Sequence, residues 1–300
     1  MNRVVLVTGA SSGIGRRTAE LLVEAGDRVL ALDVNEGALH ELARGWPADR
    51  TGARRLDVRD AAAWRAAIDD ALARWGRIDA LLNVAGVLVP GRAHETPLEA
   101  IERQVDVNAK GLMLGTRLVT EVMVRQGHGH VVNVGSLAAL VPVPGIGAYS
   151  ASKFAVRAYS LAAARELAPH GVAVSVVCPD LVDTPMLDAQ LGHEEAALAF
   201  SGPRALSADE VARCLVDRVL LTREREVWIP AYRGWLARLS EVVPGLADRI
   251  YGVLTRHGRR AQRAFEARRP SPAQRNGATP HPPAPWPPAE APAGGRLPRG

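Results

Sequence analysis

Tyr149 and Lys153 stand four residues apart in "YSASKFAVRAYS", with small side chains between them. On a helix, positions i and i+4 share a face, so this spacing sets a phenol beside an ammonium. A phenol ionises near pH ~10, too high for a good base at neutral pH. A neighbouring cation favours the phenolate and lowers that value. The pair could therefore move a proton while a cofactor moves a hydride, as alcohol–ketone interconversion requires. The same spacing also suits a buried tyrosine with a satisfied hydroxyl and a lysine that snorkels to water. Ser136 weighs for chemistry. It lies 13 residues earlier, at the end of the apolar run "HVVNVGS", where its hydroxyl can hold a substrate oxygen. Asn108 lies inside a long helical stretch, as either a helix-bending polar residue or a member of the same site.

A second constellation comes first in the chain. "TGASSGIG" places Gly9, Gly13 and Gly15 between an apolar run and a helical pattern, with Ser11, Ser12 and Ile14 in the same turn. Glycines there allow a tight turn, close approach of backbone to a pyrophosphate and close helix–strand packing. The helix start offers unpaired N–H groups and partial positive charge to the phosphates. The spacing is G-x3-G-x-G, and its place in the first strand–helix unit carries the signal. Asp33 ends the second apolar run, 18 residues after Gly15. An acid near that offset holds the ribose hydroxyls of an adenosine. It also repels a 2′-phosphate, by ~4 kcal/mol for unit charges about 4 Å apart at an effective dielectric near 20. Ser12, before Gly13, offers no compensating cation. The expected cofactor is NAD rather than NADP. Arg16 and Arg17 are expected to face solvent or the helix surface.

These residues need a frame, and the first 230 residues supply one. Short apolar runs ("RVVLVTG", "DRVLALDV", "GARRLDV", "RIDALLNVAG", "GHVVNVGS", "GVAVSVVCP", "REVWIP") alternate with longer helical patterns. One helical region runs from about Pro97 to Gln126 and another from about Gly147 to Pro169. Fully apolar strands between helices predict a parallel sheet covered on both faces. With right-handed crossovers this is a single doubly wound α/β sheet of the Rossmann type. Ligands of such sheets sit at the carboxyl ends of the strands, where Ser136 lies. Residues 1–232 are read as this domain. Residues 233–267 read as amphipathic helices interrupted at Pro244-Gly245, and 268–300 as a disordered tail rich in proline and arginine.

"TGASSGIG", "NVAG" at 83–86, Asn108, Ser136 and the Tyr149/Lys153 pair follow the order seen in the short-chain dehydrogenase/reductase family, which the chain resembles over residues 1 to about 230. The resemblance implies reversible hydride transfer between a nicotinamide and a carbonyl/alcohol pair. It assigns Asn108, Ser136, Tyr149 and Lys153 as the catalytic set, with Asn108 holding a water that links Lys153 to solvent. Lys153 also touches the cofactor ribose. Asp57 and Val58 match positions that hold adenine, and Asn83, Ala85 and Gly86 match the cofactor-side turn, with Val84 in place of the usual second asparagine. In "CPDLVDTPM", Pro179, Val182 and Thr184 match the segment that holds the carboxamide, while Asp180 occupies a position where glycine is usual.

Composition bounds the remainder. The chain of 300 residues is 47% hydrophobic and 23% charged, as expected of a globular protein. No run reads as a signal peptide or reaches the roughly 18 apolar residues of a membrane span. A reducing cytoplasm is the expected compartment, since Cys178 and Cys214 make neither a disulfide framework nor a metal site. His94, His128 and His130 show no ligand spacing, are expected to be solvated, and no metal is expected. The formal charge of +5 is local: residues 251–300 carry +7, from nine arginines against Glu266 and Glu290, which leaves −2 for the first 250. Nucleic acid is not an expected partner. The loop at about 186–206 mixes Leu, Met and Phe with acids and lacks an Arg/Lys cluster, so the expected substrate is a hydrophobic alcohol or ketone. The resemblance adds steroid-, retinoid- or lipid-like members. The rivals are a 3-oxoacyl-thioester reductase using NADPH, against which Asp33 argues, and a non-catalytic nicotinamide-binding regulator, against which the intact Ser, Tyr and Lys argue. Residues 233–265 read as a cap over the substrate entrance or a dimer surface, ahead of an interfacial helix on an anionic membrane. A homodimer or homotetramer is expected, with the small-residue face of "ASKFAVRAYSLAAARELA" as one contact.

Overall fold

A computed structural model describes residues 2–242 and 244–268, without the side chains of 241–250. The expected disordered tail lies, from residue 269 on, outside the described residues. The chain runs through β1 (Val4–Thr8), α1 (Gly13–Glu24), β2 (Arg28–Asp33), α2 (Glu36–Ala43), β3 (Thr51–Arg55), α3 (Ala61–Trp75) and β4 (Ala80–Asn83). The long helix expected from Pro97 is α4 (Leu98–Val105) and α5 (Leu112–Gln126), joined by a π-helical turn, Asp106–Gly111. Next come β5 (Gly129–Val134), α6 (Gly147–Leu167) and β6 (Val172–Pro179). The loop after β6 holds β7 (Val182–Asp183), α7 (Pro185–Asp188) and a 3-10 helix, Glu194–Ser201. β8 (Leu206–Ser207), α8 (Ala208–Arg213), α9 (Leu220–Thr222), β9 (Glu226–Ile229), α10 (Ala231–Val242) and α11 (Pro244–Arg268) complete it.

Seven strands form one parallel sheet in the order β3-β2-β1-β4-β5-β6-β9, and β7 pairs with β8 apart from it. This is the expected doubly wound sheet. Alternation along β1 divides the core: Val5 and Val7 pack on one face with Leu22, Leu215 and Val219. Leu6 packs on the other with Trp64, Met123 and Val131. Both faces exclude water, so the central strands are largely apolar, and their few polar side chains are paired within the fold. Trp64 fits only because residue 115 is glycine, where a Cβ would fall 2.3 Å from the indole.

Local signals set the helix ends. Asp60 accepts hydrogen bonds from the N–H groups of Ala62 and Ala63 at the start of α3, and Gly76 ends that helix at φ +74°. Ser207 and Glu210 form a capping box on α8. Strand order reverses between β1 and β4, which opens a crevice at their carboxyl ends. The glycine turn after β1 faces that crevice.

Candidate active site

The crevice is a cavity of about 1360 Å³. That is larger than an ordinary small-ligand pocket of roughly 300–1,000 Å³ and roomy enough for a dinucleotide with a second molecule. The glycine turn forms one end. Gly9 and Gly13 have φ of +69° and +51°, and a Cβ on Gly9 would fall 2.9 Å from the backbone of Ala85. A Cβ on Gly15 would fall 2.1 Å from the Gly9 carbonyl oxygen. The turn is thus pressed between α1 and the 84–86 segment, leaving a backbone cradle at the helix start that suits a pyrophosphate. Thr8, which sequence reasoning missed, holds the opposite bank: its hydroxyl accepts from the N–H groups of Val84 (3.0 Å) and Ala85 (3.2 Å). Its signal was a polar side chain at the end of an otherwise apolar strand.

Asp33 lines the cleft at the end of β2. Its carboxylate accepts from Ser11 N–H at 3.1 Å and Asn35 N–H at 3.0 Å, so it also ties the glycine turn to the next strand. Asp57 and Val58 line the same end, and Asp57 is held bidentately by Arg59, with Nη2–Oδ2 at 2.5 Å. That guanidinium keeps the Asp57 carboxyl below the usual carboxylate range. Ser11, Ser12, Gly13, Ile14, Gly15, Ala85, Gly86, Pro179, Val182 and Thr184 all line the cleft as well. Asn83 does not. It is buried in β4 and donates to Thr116 Oγ1 (3.2 Å) and Asn133 Oδ1 (2.9 Å), on the inner side of the sheet. Strand alternation turns its side chain toward α5, while the backbone of Val84 and Ala85 meets the cleft. Arg16 and Arg17 point away from the cleft into ion pairs with Glu20, Glu24 and Asp209.

Ser136, Tyr149 and Lys153 meet over the end of β5. Ser136 Oγ accepts from Ala138 N–H at 3.1 Å, which starts a short 3-10 turn, and its hydroxyl favours the ionised form of the Tyr149 phenol. Lys153 Nζ donates to the Val134 carbonyl oxygen at 2.8 Å and lies 5.6 Å from the Tyr149 ring centroid. Burial pushes the phenol up to about 12, against the pull of Ser136, and the lysine down to about 8. The expected lowering of the phenol by its lysine is therefore overridden in the protein alone. Desolvation disfavours the phenolate, and the ammonium is anchored on the Val134 carbonyl.

Asn108 sits in the π-helical turn, fully buried. Its Oδ1 accepts from Val87 N–H at 2.8 Å, and its Nδ2 donates to the Val87 carbonyl (2.9 Å) and to Ser152 Oγ (3.0 Å). Both amide protons are spent on protein atoms, so the side chain locks the 86–87 segment to α6. Ser152 passes the tie on, donating to the Tyr149 carbonyl at 2.7 Å. His130 corrects the sequence reading: it lies in β5, buried, with Nε2 at 2.8 Å from Ser175 Oγ, and burial lowers its pKa to about 4. His94 and His128 are exposed. Among the described residues no group of His, Cys, Asp or Glu is arranged to hold a metal.

The far side of the cleft is apolar, with Leu88, Val143, Ile146, Met186 and Leu198 on its walls and Leu236, Leu239, Tyr251 and Leu254 from α10 and α11 beside them. Helices α10 and α11 are thus part of the cavity wall. Two devices hold them there. Arg233 Nε pairs with Asp180 at 2.8 Å and its Nη2 donates to Ser201 at 3.2 Å, which gives the carboxylate at 180 a purpose. Gln262 Nε2 donates to the carbonyls of Gln190 (2.9 Å) and His193 (3.2 Å), while Arg263 pairs with Glu194 at 2.5 Å. The acidic patch of the loop is thereby matched by α11. No helix among the described residues is long and apolar enough to cross a membrane.

A family model described as short chain dehydrogenase matches residues 3–195. A 2-(R)-hydroxypropyl-CoM dehydrogenase of Xanthobacter autotrophicus is 40% identical over 201 residues, 65% of this chain and 80% of that protein. A cyclopentanol dehydrogenase of Comamonas testosteroni is 38% identical over 209 residues, 68% and 83% of the respective chains. Among solved structures, a short-chain dehydrogenase/reductase of Burkholderia phymatum in complex with NAD superposes with a TM-score of 0.72 at 28% identity, covering 82% of this chain and 95% of that one.

Proposed function

The chain belongs to the short-chain dehydrogenase family, and from that premise we propose that it interconverts a hydrophobic secondary alcohol and its ketone with NAD. It is an oxidoreductase of CH–OH groups that uses a nicotinamide cofactor; the choice of NAD and the size of the substrate are the proposal. The observation that carries it is the meeting of Tyr149, Ser136 and Lys153 at the end of β5, in the cleft that the glycine turn also lines. NAD, when bound, supplies the hydride acceptor and, in its oxidised form, a positive charge.

This chain's residues supply the rest. Ser136 Oγ and Tyr149 Oη hold the substrate oxygen, and Tyr149 takes the hydroxyl proton during oxidation or returns it during reduction. The buried ammonium of Lys153 favours phenolate once the reacting groups converge, and Asn108 positions the 86–87 backbone. Gly9, Ser11, Ser12, Gly13, Ile14 and Gly15 cradle the pyrophosphate, with Asp33 on the ribose and Asp57 and Val58 at the adenine. Ala85, Gly86, Pro179, Val182 and Thr184 flank the nicotinamide half. The apolar wall completed by α10 and α11 excludes water from the reacting carbon and favours a large, greasy alcohol.

Tyr149→Phe tests the reading. The variant is expected to lose nearly all turnover in a screen of secondary alcohols, sterols and retinoids, while NADH binding, followed by its fluorescence, is retained. Wild-type rates in Tyr149→Phe would refute the assignment.

A further inference from the structure

The outward face of α10 is apolar, the reverse of an ordinary surface helix, which turns its polar face to water. Tyr232, Trp235, Leu236 and Leu239 follow at i, i+3, i+4 and i+7, so they share one face, and they are 51%, 67%, 58% and 54% exposed. Gly234 and Ala237 pack inward on the opposite face. Trp235 meets Trp228 edge to face, at 5.2 Å between ring centroids, and still leaves most of its surface to solvent. Single exposed apolar side chains are ordinary; a continuous stripe marks a surface that something covers. The neighbouring helix adds charge. Val253, Arg256 and Arg260 lie at i, i+3 and i+7 on the outward face of α11, all exposed. Among the described residues neither arginine has an ion-pair partner, whereas the next one, Arg263, is paired with Glu194. Residues 231–268 hold eight arginines against three acids, while residues 1–230 hold 25 basic side chains against 28 acidic ones, a net −3.

We propose that α10 and the outward face of α11 dock on an anionic lipid surface, with the cavity opening onto the bilayer. Two observations choose this occupant over a protein. The first is charge. An apolar stripe bearing Trp and Tyr, beside arginines without internal partners, is the pattern of helices that lie in the plane of an anionic membrane. The second is the cavity mouth. Leu236, Leu239 and Tyr251 line the cavity and are exposed as well, so they stand at its opening. A second copy of the chain on this face would stopper both mouths and repeat the same positive charge across a two-fold interface. A bilayer meets these residues and also dissolves the greasy alcohol that the cavity takes up. No described helix can cross a bilayer, so the contact is interfacial. The delivery of substrate rests on the hydrophobic-alcohol reading above; the docking does not.

The test pellets the full-length protein with vesicles of phosphatidylcholine alone and of phosphatidylcholine mixed with phosphatidylserine, at low and high salt. The wild type is expected to partition onto the mixed vesicles about tenfold more strongly than onto phosphatidylcholine, and to be released by salt, because each arginine near the surface adds an attraction that salt screens. Two double variants remove the two features separately. Tyr232→Glu with Val253→Glu, and Arg256→Glu with Arg260→Glu, are each expected to weaken partition about tenfold or more. None of these four residues lines the cavity, so NADH binding, followed by its fluorescence, should be unchanged and establishes that the variants are folded. If one is not, the other variant and the wild-type comparison of the two vesicles stand as the test. Equal or absent wild-type binding to the two vesicles would overturn the docking. Wild-type partition by either folded variant would overturn it too, by placing vesicle binding elsewhere in the chain. Loss of a dimer in Tyr232→Glu with Val253→Glu, seen by sedimentation velocity while vesicle binding stays intact, would make the face a contact between copies instead. None of these outcomes bears on the alcohol dehydrogenase reading, which Tyr149→Phe tests.

Discussion

Tyr149 is pulled in two directions, and the balance predicts its pH behaviour. Burial holds the phenol protonated, up to about 12, and the Ser136 hydroxyl draws it down. Oxidation needs the phenolate, so kcat/KM for the alcohol is expected to climb with pH across the alkaline range, while ketone reduction falls. Ser136→Ala removes a bond that favours the ionised form. It should shift the oxidation limb to higher pH by about one unit, the equivalent of one ordinary hydrogen bond; an unshifted limb in a pH–rate profile would count against the contact. Asp33 offers a second test at this scale. Its carboxylate faces the cleft while holding the Ser11 and Asn35 amides. Asp33→Asn keeps an acceptor and removes the charge, so the ratio of kcat/KM with NADP to that with NAD should rise at least tenfold, on the order expected from removing a close like-charge pair.

At the scale of elements, the wall of the cleft depends on how α10 and α11 are fastened. The Asp180–Arg233 pair is nearly buried, with side chains 10% and 19% exposed. Removing one partner of such a pair leaves an uncompensated charge. Arg233→Ala is therefore expected to lower stability by about 2 kcal/mol, less than the ~3–5 kcal/mol of a fully buried pair because some exposure remains. It should also expose the 231–250 region to limited proteolysis. A separate route leads to the same detachment. Gly258 of α11 rests on the 3-10 helix so closely that a Cβ would lie 2.0 Å from the Ala197 carbonyl oxygen. Gly258→Ala should loosen α11 and raise KM for bulky alcohols more than for small ones; identical KM shifts for both sizes would argue that α11 is no part of the pocket. Trp235 of α10 meets Trp228 of β9 edge to face, with ring centroids 5.2 Å apart, which adds an apolar contact to the same fastening.

Across the whole molecule, acid stability is tied to His130. The imidazole is held neutral in the fold, with its pKa lowered by burial to about 4, against an ordinary value of 6.5. Between those values the unfolded chain binds the extra proton and the folded chain does not. The His130 contribution to stability is therefore constant above about pH 6.5 and falls as pH drops toward 4, by about 3 kcal/mol. Urea midpoints measured at pH 7 and pH 4.5 should differ accordingly, and His130→Asn should narrow that difference. The two-faced core explains why the residue cannot escape: β5 is covered on both sides, so a polar side chain there finds Ser175 and not water.

What was legible in the sequence was whatever depends on local order. Apolar runs and helical periods specified seven parallel strands, because a strand covered on both faces must be largely apolar. The glycine turn and the Tyr149/Lys153 spacing were equally legible, because each is set by backbone neighbours within one turn. Tertiary structure decided the rest, since it depends on groups far apart in the chain. Burial, not the adjacent ammonium, sets the phenol's proton affinity; Asn108 reaches Val87 and Ser152; strand alternation turns Asn83 into the core. The carboxylate of Asp180 was visible only as a departure from glycine until Arg233, 53 residues later, came to meet it.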